Sequence, residues 1–217
     1  TPISSKEITN LADGSWYFHV RLRNAEGWGG VSHFRFQIDT EKPIRFEISE
    51  VPRKDLTDPR PEFIFDAKDD TSGVDYYEVQ IDNQNFEIWR DNGSHRYETV
   101  AIGPGKHTLI TKAIDKAGNS LANSAEFTIQ ALTPPEITEY PRTLQSGEML
   151  TVKGKTAYPD GEVNVWLQRE NEEAKSTTVK SDDKGKFIFT ADEKLKDGIY
   201  KLWAEVIDER GAKSEPS

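Results

Sequence analysis

The chain has 217 residues, of which 35% are hydrophobic and 30% are charged, and its formal net charge at pH 7 is −10. This acidity excludes a basic nucleic-acid footprint and attraction to an anionic membrane surface. The absence of cysteine excludes disulfides, zinc–thiolate sites and thiol catalysis. No apolar run reaches the roughly 18 residues that a membrane-spanning helix needs, so none is predicted.

Short apolar or alternating runs, separated by turn residues, predict strands along the whole chain. No segment has the sustained 3.6-residue apolar period of a long helix. In the first part we expect one strand before Gly14 and further strands at 16–23 and 33–38. In the middle part the predicted strands are 43–49, 61–67, 74–82, 85–89, 96–100, 106–114 and 124–130. In the last part they are 136–140, 149–155, 162–167, 175–179, 186–190 and 198–207.

One pattern of two glycines occurs three times. The second glycine always follows the first by 13 residues, in the pairs Gly14 and Gly27, Gly105 and Gly118, and Gly198 and Gly211. The first glycine is expected to take a positive φ and turn the chain into a strand, and the second marks the turn out of it. Successive copies are about 90 residues apart, which is the size of an immunoglobulin-like sandwich.

A ring side chain stands two residues after the first glycine of each copy. The three residues are Trp16, His107 and Tyr200. In sandwich domains a tyrosine near the start of this strand forms a corner, in which its hydroxyl bonds to backbone a few residues upstream. We expect Tyr200 to fit that role well, Trp16 less well and His107 poorly.

The predicted fold is all-β, with tandem immunoglobulin-like β-sandwich modules arranged as an extended string. Proline-bearing linkers at Asp39–Pro43 and Ala131–Pro135 favour such a string. The boundaries divide the chain into a partial module, 1–42, a complete sandwich, 43–131, and a sandwich that we expect to lack its last strand, 132–217. Either the two ends fall inside modules of a longer array, or the missing strands come from another chain by addition to exposed edges.

Several segments resemble the bacterial immunoglobulin-like and fibronectin type III-like tandem repeats of cell-surface proteins. The resemblance rests on Asp70–Val74, Tyr77–Asp82, Ala113–Ser120, Val152–Ala157, Asp183–Phe187 and the linker Asp39–Pro43. It implies a non-catalytic spacer or stalk of a bacterial cell-surface or secreted protein, located outside the cell and presenting a functional head. Its partners would be the neighbouring modules of the same chain. The alternative is an adhesin-type binding module for a polysaccharide or a protein.

The carboxylates of the middle part are the candidate metal ligands. Asp66, Asp69, Asp70 and Asp75 cluster around one predicted turn, and Asp115 begins another. Hard oxygen ligands in a loop could bind calcium. The spacing does not match an EF-hand loop, however, and acidic turns with a glycine are common without metal. The sequence therefore leaves calcium at these turns open and predicts no cofactor.

The remaining polar groups do not predict an enzyme. His19 and His33 lie on neighbouring predicted strands, but no third ligand is spaced to complete a metal site with them. His107 is expected to be a hydrogen-bonding group at its corner rather than a base. No serine elbow, phosphate loop or dinucleotide fingerprint occurs. Sandwich modules of this size also seldom form the two-carboxylate cleft of a glycosidase.

Aromatic side chains offer a second kind of candidate site. Exposed rings in a row could stack on sugar faces, and the candidates are Trp28, Trp89, Trp203, Tyr76 and Tyr77. We expect instead that most of the tryptophans, including Trp89 and Trp166, fill cores.

Overall fold

The computed structural model describes residues 5–145 and 147–217. These residues form strands and no helix, which confirms the predicted all-β class. The strands are β1 Gly14–Val20, β2 Arg23–Asn24, β3 Gly27–Trp28, β4 Ser32–Ile38, β5 Arg45–Glu50, β6 Glu62–Lys68, β7 Val74–Ile81, β8 Glu87–Trp89, β9 Arg96–Glu98, β10 Gly105–Asp115, β11 Ser120–Ile129, β12 Glu136–Glu139, β13 Thr151–Lys155, β14 Glu162–Arg169, β15 Lys175–Lys180, β16 Lys186–Thr190 and β17 Tyr200–Ile207.

Two details differ from the prediction. The strand expected before Gly14 is wrong for residues 5–13, which contain no strand, and residues 1–4 lie outside the described part. The short hairpin of β2 and β3 was not predicted, because each strand has only two residues. Alternation of side chains cannot be recognised over so short a length.

The described chain divides into two compact units. One contains the residues up to Glu50 together with Phe63–Tyr97 and Thr108–Glu126, and the other contains Val51–Glu62, Glu98–His107 and Phe127–Ser217. This division passes through the segment 43–131. The module boundaries drawn from the prolines stay predictions.

The first unit begins with a two-stranded antiparallel sheet of β1 and β4. Trp16 lies opposite Phe36, and Phe18 lies opposite Phe34. Period two places these four side chains on one face of the hairpin. All four are more than a third exposed, so the apolar face of this hairpin is largely uncovered by the described residues.

An aromatic cluster forms the core between β5, β6, β7, β8 and β9. Its centre is Phe65, which is fully buried. The ring centroids of Phe46, Tyr77, Trp89 and Tyr97 lie 5.2–5.9 Å from that of Phe65. The sheet orders here are β5-β6-β9 and β11-β10-β7-β8.

The second unit contains a complete face-to-face packing of two three-stranded sheets, β12-β13-β16 and β15-β14-β17. Burial alternates strictly along β13 and β16, as expected for strands with one face in a core. The core side chains come from both sheets and include Val152, Val163, Phe187 and Val206, each at most 1% exposed. The predicted sandwich is confirmed by this packing.

Candidate functional site at the turns and linkers

The ring two residues after the first glycine makes the same hydrogen bond in all three copies. In each case the acceptor is the carbonyl oxygen four residues upstream. The bonds are Trp16 Nε1 to Ala12 O at 2.9 Å, His107 Nε2 to Gly103 O at 2.9 Å, and Tyr200 Oη to Lys196 O at 3.1 Å. Because a carbonyl only accepts, His107 carries a proton on Nε2 in this bond. The expectation that His107 fits poorly is therefore wrong.

The glycine before each corner has the positive φ that the sequence predicted. The values are 134° at Gly14, 141° at Gly105 and 152° at Gly198.

The turn after each corner strand is closed by one side-chain oxygen. The Oδ1 atoms of Asn24, Asp115 and Asp208 each accept two backbone N–H groups further along the turn, at 2.8–3.0 Å. Asn and Asp favour such turns for this reason. The repeat thus consists of a glycine, a ring-to-carbonyl bond and an Asx turn.

The linker after β4 is held by hydrogen bonds within the first unit. Asp39 Oδ2 accepts from Ser72 N at 3.0 Å, and Asn119 Nδ2 donates to Asp39 O at 3.2 Å. Thr40 N donates to Asp13 Oδ2 at 3.1 Å. Hydrogen bonding from Ser72, together with the backbone N–H of Glu41, lowers the pKa of Asp39. This linker, which we name joint 1, is tied to the hairpin before it and to the turns after it.

Three carboxylates meet beside joint 1. Ligand-type oxygens of Asp39, Asp69 and Asp115 lie within 4.8 Å of one another, and Asp115 is 2% exposed. Among the described residues this is the one group of three or more such side chains. Sequence reasoning found Asp69 and Asp115 but missed Asp39, although its position at the start of the linker was noted.

The oxygens of this cluster already accept hydrogen bonds. Asp69 Oδ1 accepts from Thr71 N and Gly73 N, and both oxygens of Asp115 accept from Asn119. Three carboxylates could also hold a hard cation. What the contacts show directly is that these side chains close the turns.

The other predicted metal ligands lie in ion pairs elsewhere. Asp66 pairs with Arg45, Asp70 with Lys68 at 2.7 Å, and Asp75 with Arg90 at 2.8 Å. These pairs are exposed, and exposed pairs contribute little to stability. Asp66, Asp70 and Asp75 therefore do not join the carboxylate cluster.

Arg210 connects the turn after β17 to the loop before β6, within the second unit. Its Nη1 donates to Asp55 Oδ2 at 2.6 Å, and its Nη2 donates to Thr57 Oγ1 at 3.0 Å. Arg60 Nη1 donates back to Arg210 O at 2.7 Å. We name this set joint 2. Nothing in the sequence pointed to joint 2 beyond an arginine in the turn Asp208–Gly211.

Hydrogen bonding at joint 2 perturbs both charged partners. The Thr57 hydroxyl and backbone N–H, followed by Arg210, lower the pKa of Asp55 to about 2. Asp208 and then Asp55 raise the pKa of Arg210. Both shifts favour the charged forms, so joint 2 is charged at neutral pH.

His19 and His33 lie directly opposite each other on β1 and β4. Their Nδ1 atoms are 2.5 Å apart, and both rings are exposed. In such a contact one ring nitrogen donates and the other accepts. No third ligand-type side chain of the described residues groups with them.

The five candidate aromatic residues do not form one row. Trp28 is 56% exposed, with the Arg21 guanidinium 4.3 Å from its ring centroid. Tyr77 and Trp89 pack in the Phe65 cluster, where burial raises the pKa of Tyr77 to about 12.

The last two aromatic candidates make other contacts. Tyr76 lies under Arg90, with a separation of 5.1 Å. Trp203 stacks on Trp166 across β14 and β17, with centroids 5.8 Å apart and planes 2° apart. Both tryptophans are partly buried.

The solved structures that resemble this chain include tandem repeats and multi-domain fibronectin type III segments. One is a tetra-tandem repeat in the extending region of a large adhesion protein, at 16% identity and a TM-score of 0.40; the match covers 95% of this chain, which spans 56% of that one. Another is a two-domain fibronectin type III segment of chicken tenascin, at 14% identity, covering 82% and 97% of the two chains, with a TM-score of 0.34. A third is the chicken CNTN1 FN1–FN3 segment, at 13% identity, covering 94% and 72%, with a TM-score of 0.33.

The comparisons by sequence gave no relative. No protein-family model matches the chain, and no curated protein matches it. In the part of the chain that the structure describes, no helix has the length and apolarity to cross a bilayer.

Proposed function

We propose that this chain is a non-catalytic spacer of a bacterial cell-surface or secreted protein, in which it holds a functional head away from the surface. Its modules would be 1–42, 43–131 and 132–217, and its place would be outside the cell. The observation that supports this role most strongly is that both joints are made of specific hydrogen bonds.

A spacer must resist bending where its modules meet. A linker without contacts behaves as a flexible coil, whose ends approach each other freely. At joint 1 the linker accepts from Ser72 N–H and Asn119 Nδ2–H. At joint 2 the Arg210 side chain and carbonyl are both bonded. The bonds at joint 1 reduce the bending freedom of the linker itself, and those at joint 2 tie the turn after β17 to the loop before β6.

The test is whether joint 2 holds its neighbours rigid in solution. Backbone ¹⁵N relaxation should give one rotational correlation time for residues 98–107 and for the sheets of residues 136–207. Arg210→Ala removes the bonds to Asp55 and Thr57 and should separate the two correlation times. Arg142→Ala, an arginine exposed outside the joint, is the matched control. Independent tumbling in the unmodified protein would reject the spacer role.

A further inference from the structure

Two histidines lie at one register position of the β1–β4 hairpin in the first unit. His19 on β1 is directly opposite His33 on β4. Their Nδ1 atoms are 2.5 Å apart, and the ring centroids are 4.7 Å apart with the planes at 83°. The same nitrogen of each ring therefore faces its partner across the two strands, and both rings are exposed.

These histidines lie on the face of the hairpin that a sandwich leaves toward solvent. Phe18 and His19 are successive residues of β1, so they point to opposite faces. In the second copy of the repeat the corresponding residues are Leu109, which is 0% exposed, and Ile110, which is partly exposed. The core of a sandwich is thus built on the Phe18 side of this strand. A segment that covered the apolar face of the hairpin would leave the two histidines accessible.

The neighbouring side chains on this face are bound elsewhere or stack on the rings. The Tyr17 ring stacks beside that of His19, with centroids 6.4 Å apart and planes 15° apart. Arg35, two residues after His33 on the same face, donates to Ser15 Oγ at 3.1 Å. This bond directs the guanidinium toward the start of β1 and away from the two imidazoles. Neither contact involves an Nδ1 atom.

Two facing imidazole nitrogens have the chemistry of a transition-metal ligand pair. Imidazole binds Zn²⁺, Ni²⁺ and Cu²⁺, whereas Ca²⁺ and Mg²⁺ prefer oxygen ligands. A metal–nitrogen bond is about 2.0–2.1 Å long, so two nitrogens on one ion are about 3 Å apart. The Nδ1 atoms at 2.5 Å reach that spacing by a small rotation of either ring. Without an ion, their contact needs a proton on one of the two nitrogens.

We propose that His19 and His33 bind one divalent transition-metal ion of the Zn²⁺, Ni²⁺ and Cu²⁺ class through their Nδ1 atoms. The two nitrogens leave the remaining coordination positions to water, so the site is open and needs no third protein ligand. The ion joins β1 to β4 through side chains. Because an isolated two-stranded hairpin is marginally stable, an ion that binds only the folded hairpin stabilises it.

The chain contains two further histidines, which serve as internal controls. His95 Nδ1 is 2.8 Å from Asp91 Oδ2, and His107 Nε2 donates to Gly103 O. His95 is exposed, so it measures what one imidazole beside a carboxylate binds. Two imidazoles on one ion should bind more tightly than this, because both are held in place by the paired strands.

The test uses the complete 217-residue chain and zinc chloride. Calorimetric titration should give one tightly bound Zn²⁺ per chain. Imidazole ¹⁵N NMR should show the Nδ1 resonances of His19 and His33 shifting together up to one equivalent, while those of His95 and His107 stay in place. Calcium chloride should leave all four histidines unchanged. Cu²⁺ should bind more tightly than Zn²⁺, as the order of affinities for nitrogen ligands requires.

His19→Gln and His33→Gln should each weaken Zn²⁺ binding about tenfold or more, since one imidazole remains. His95→Gln is the matched control and should bind as the unmodified protein does. All three side chains are exposed, so the variants should fold normally, which circular dichroism without metal checks. Zn²⁺ should also slow amide hydrogen exchange in β1 and β4 about tenfold in the unmodified protein and leave it unchanged in His19→Gln.

Four results would each overturn the proposal. Zn²⁺ could leave the Nδ1 resonances of His19 and His33 in place, or bind His19→Gln as tightly as the unmodified protein. Binding without slower exchange in β1 and β4 would show that the ion does not join the strands. One ion per two chains would place it between two copies rather than across one hairpin.

Discussion

The hydroxyl of Tyr200 makes one hydrogen bond, whose contribution to stability can be measured. It donates to Lys196 O at 3.1 Å, and a hydrogen bond of this kind contributes about 1 kcal/mol to stability. Tyr200→Phe removes the bond and keeps the ring, so we expect the free energy of unfolding to fall by about 1 kcal/mol in urea denaturation. Tyr140→Phe, at a 52% exposed tyrosine of the same sandwich, should have almost no effect. Equal stabilities of the two variants would contradict a stabilising corner.

Gly154 is required for steric reasons rather than for its φ. A Cβ built on it would overlap the buried Phe187 ring and come within 2.6 Å of Glu136 O. Overpacking of this kind costs about 1–3 kcal/mol, so Gly154→Ala should lower the urea midpoint clearly. Gly30→Ala, where a Cβ meets nothing within 4 Å, is the control. Adding Phe187→Leu to Gly154→Ala should restore part of the loss, and a double variant no more stable than Gly154→Ala would argue against the clash.

At the residue scale, the spacing of the glycines predicted where the corners lie better than it predicted which side chains form them. The 13-residue glycine spacing located all three corners, and the first glycines do take positive φ. The sequence favoured Tyr200 because tyrosine is the familiar corner residue. It expected His107 to be a hydrogen-bonding group at its corner, which the bond to Gly103 O confirms, but it wrongly ranked this histidine below tyrosine as a corner residue. Any side chain that brings an N–H or O–H to the same carbonyl can make the corner hydrogen bond.

At the scale of elements, joint 2 should respond to acid. The pKa of Asp55 is lowered to about 2 in the folded protein, below its ordinary value of 3.8. A lowered pKa means that the contact contributes above about pH 4 and is lost as the pH falls toward 2. Carboxyl ¹³C NMR of Asp55 should therefore show a midpoint near 2, and ¹⁵N relaxation should show joint 2 loosening over the same range. A midpoint near 3.8 would show that the folded protein does not lower the pKa of Asp55, and that its charge does not stabilise joint 2.

The pKa of Asp55 depends on two partners, Thr57 and Arg210. The Thr57 hydroxyl is the largest cause of the lowered pKa, ahead of Arg210. Thr57→Val and Arg210→Ala should each raise the pKa of Asp55, as measured by the same ¹³C titration. A pKa that Thr57→Val leaves unchanged would mean that charge, rather than the local Asx-type turn, sets the pKa of Asp55.

The strands were largely predictable because alternation is a local property of the sequence. β13 and β16 alternate in burial as they do in hydrophobicity. The carboxylate cluster was not predictable in this way. Asp39, Asp69 and Asp115 lie in three segments far apart in the chain, and only the folded structure brings them together. The nearby acidic residues Asp66 and Asp70 form separate ion pairs, so closeness in sequence was misleading.

At the scale of the whole molecule, the remaining question is which segment folds as a unit. The Phe65 cluster, from Phe46 to Tyr97, lies entirely within the predicted module 43–131, and so do the fully buried Phe63 and Leu109. The boundaries between the two compact units, however, fall inside this segment. A segment can fold alone when its own side chains complete its hydrophobic core.

We therefore predict that the excised segment 43–131 folds with one cooperative urea transition. It should be less stable than the segment 37–131, because only the longer piece keeps the Asp39 bonds to Ser72 and Asn119. The difference should appear as a lower urea midpoint for 43–131, because hydrogen bonds to a carboxylate or carbonyl acceptor contribute to stability. In 37–131, Asp39→Ala should remove most of that gain. A segment 43–131 that unfolds gradually, or that stays unfolded without residues 132–217, would show that the folding units cross the proline linkers.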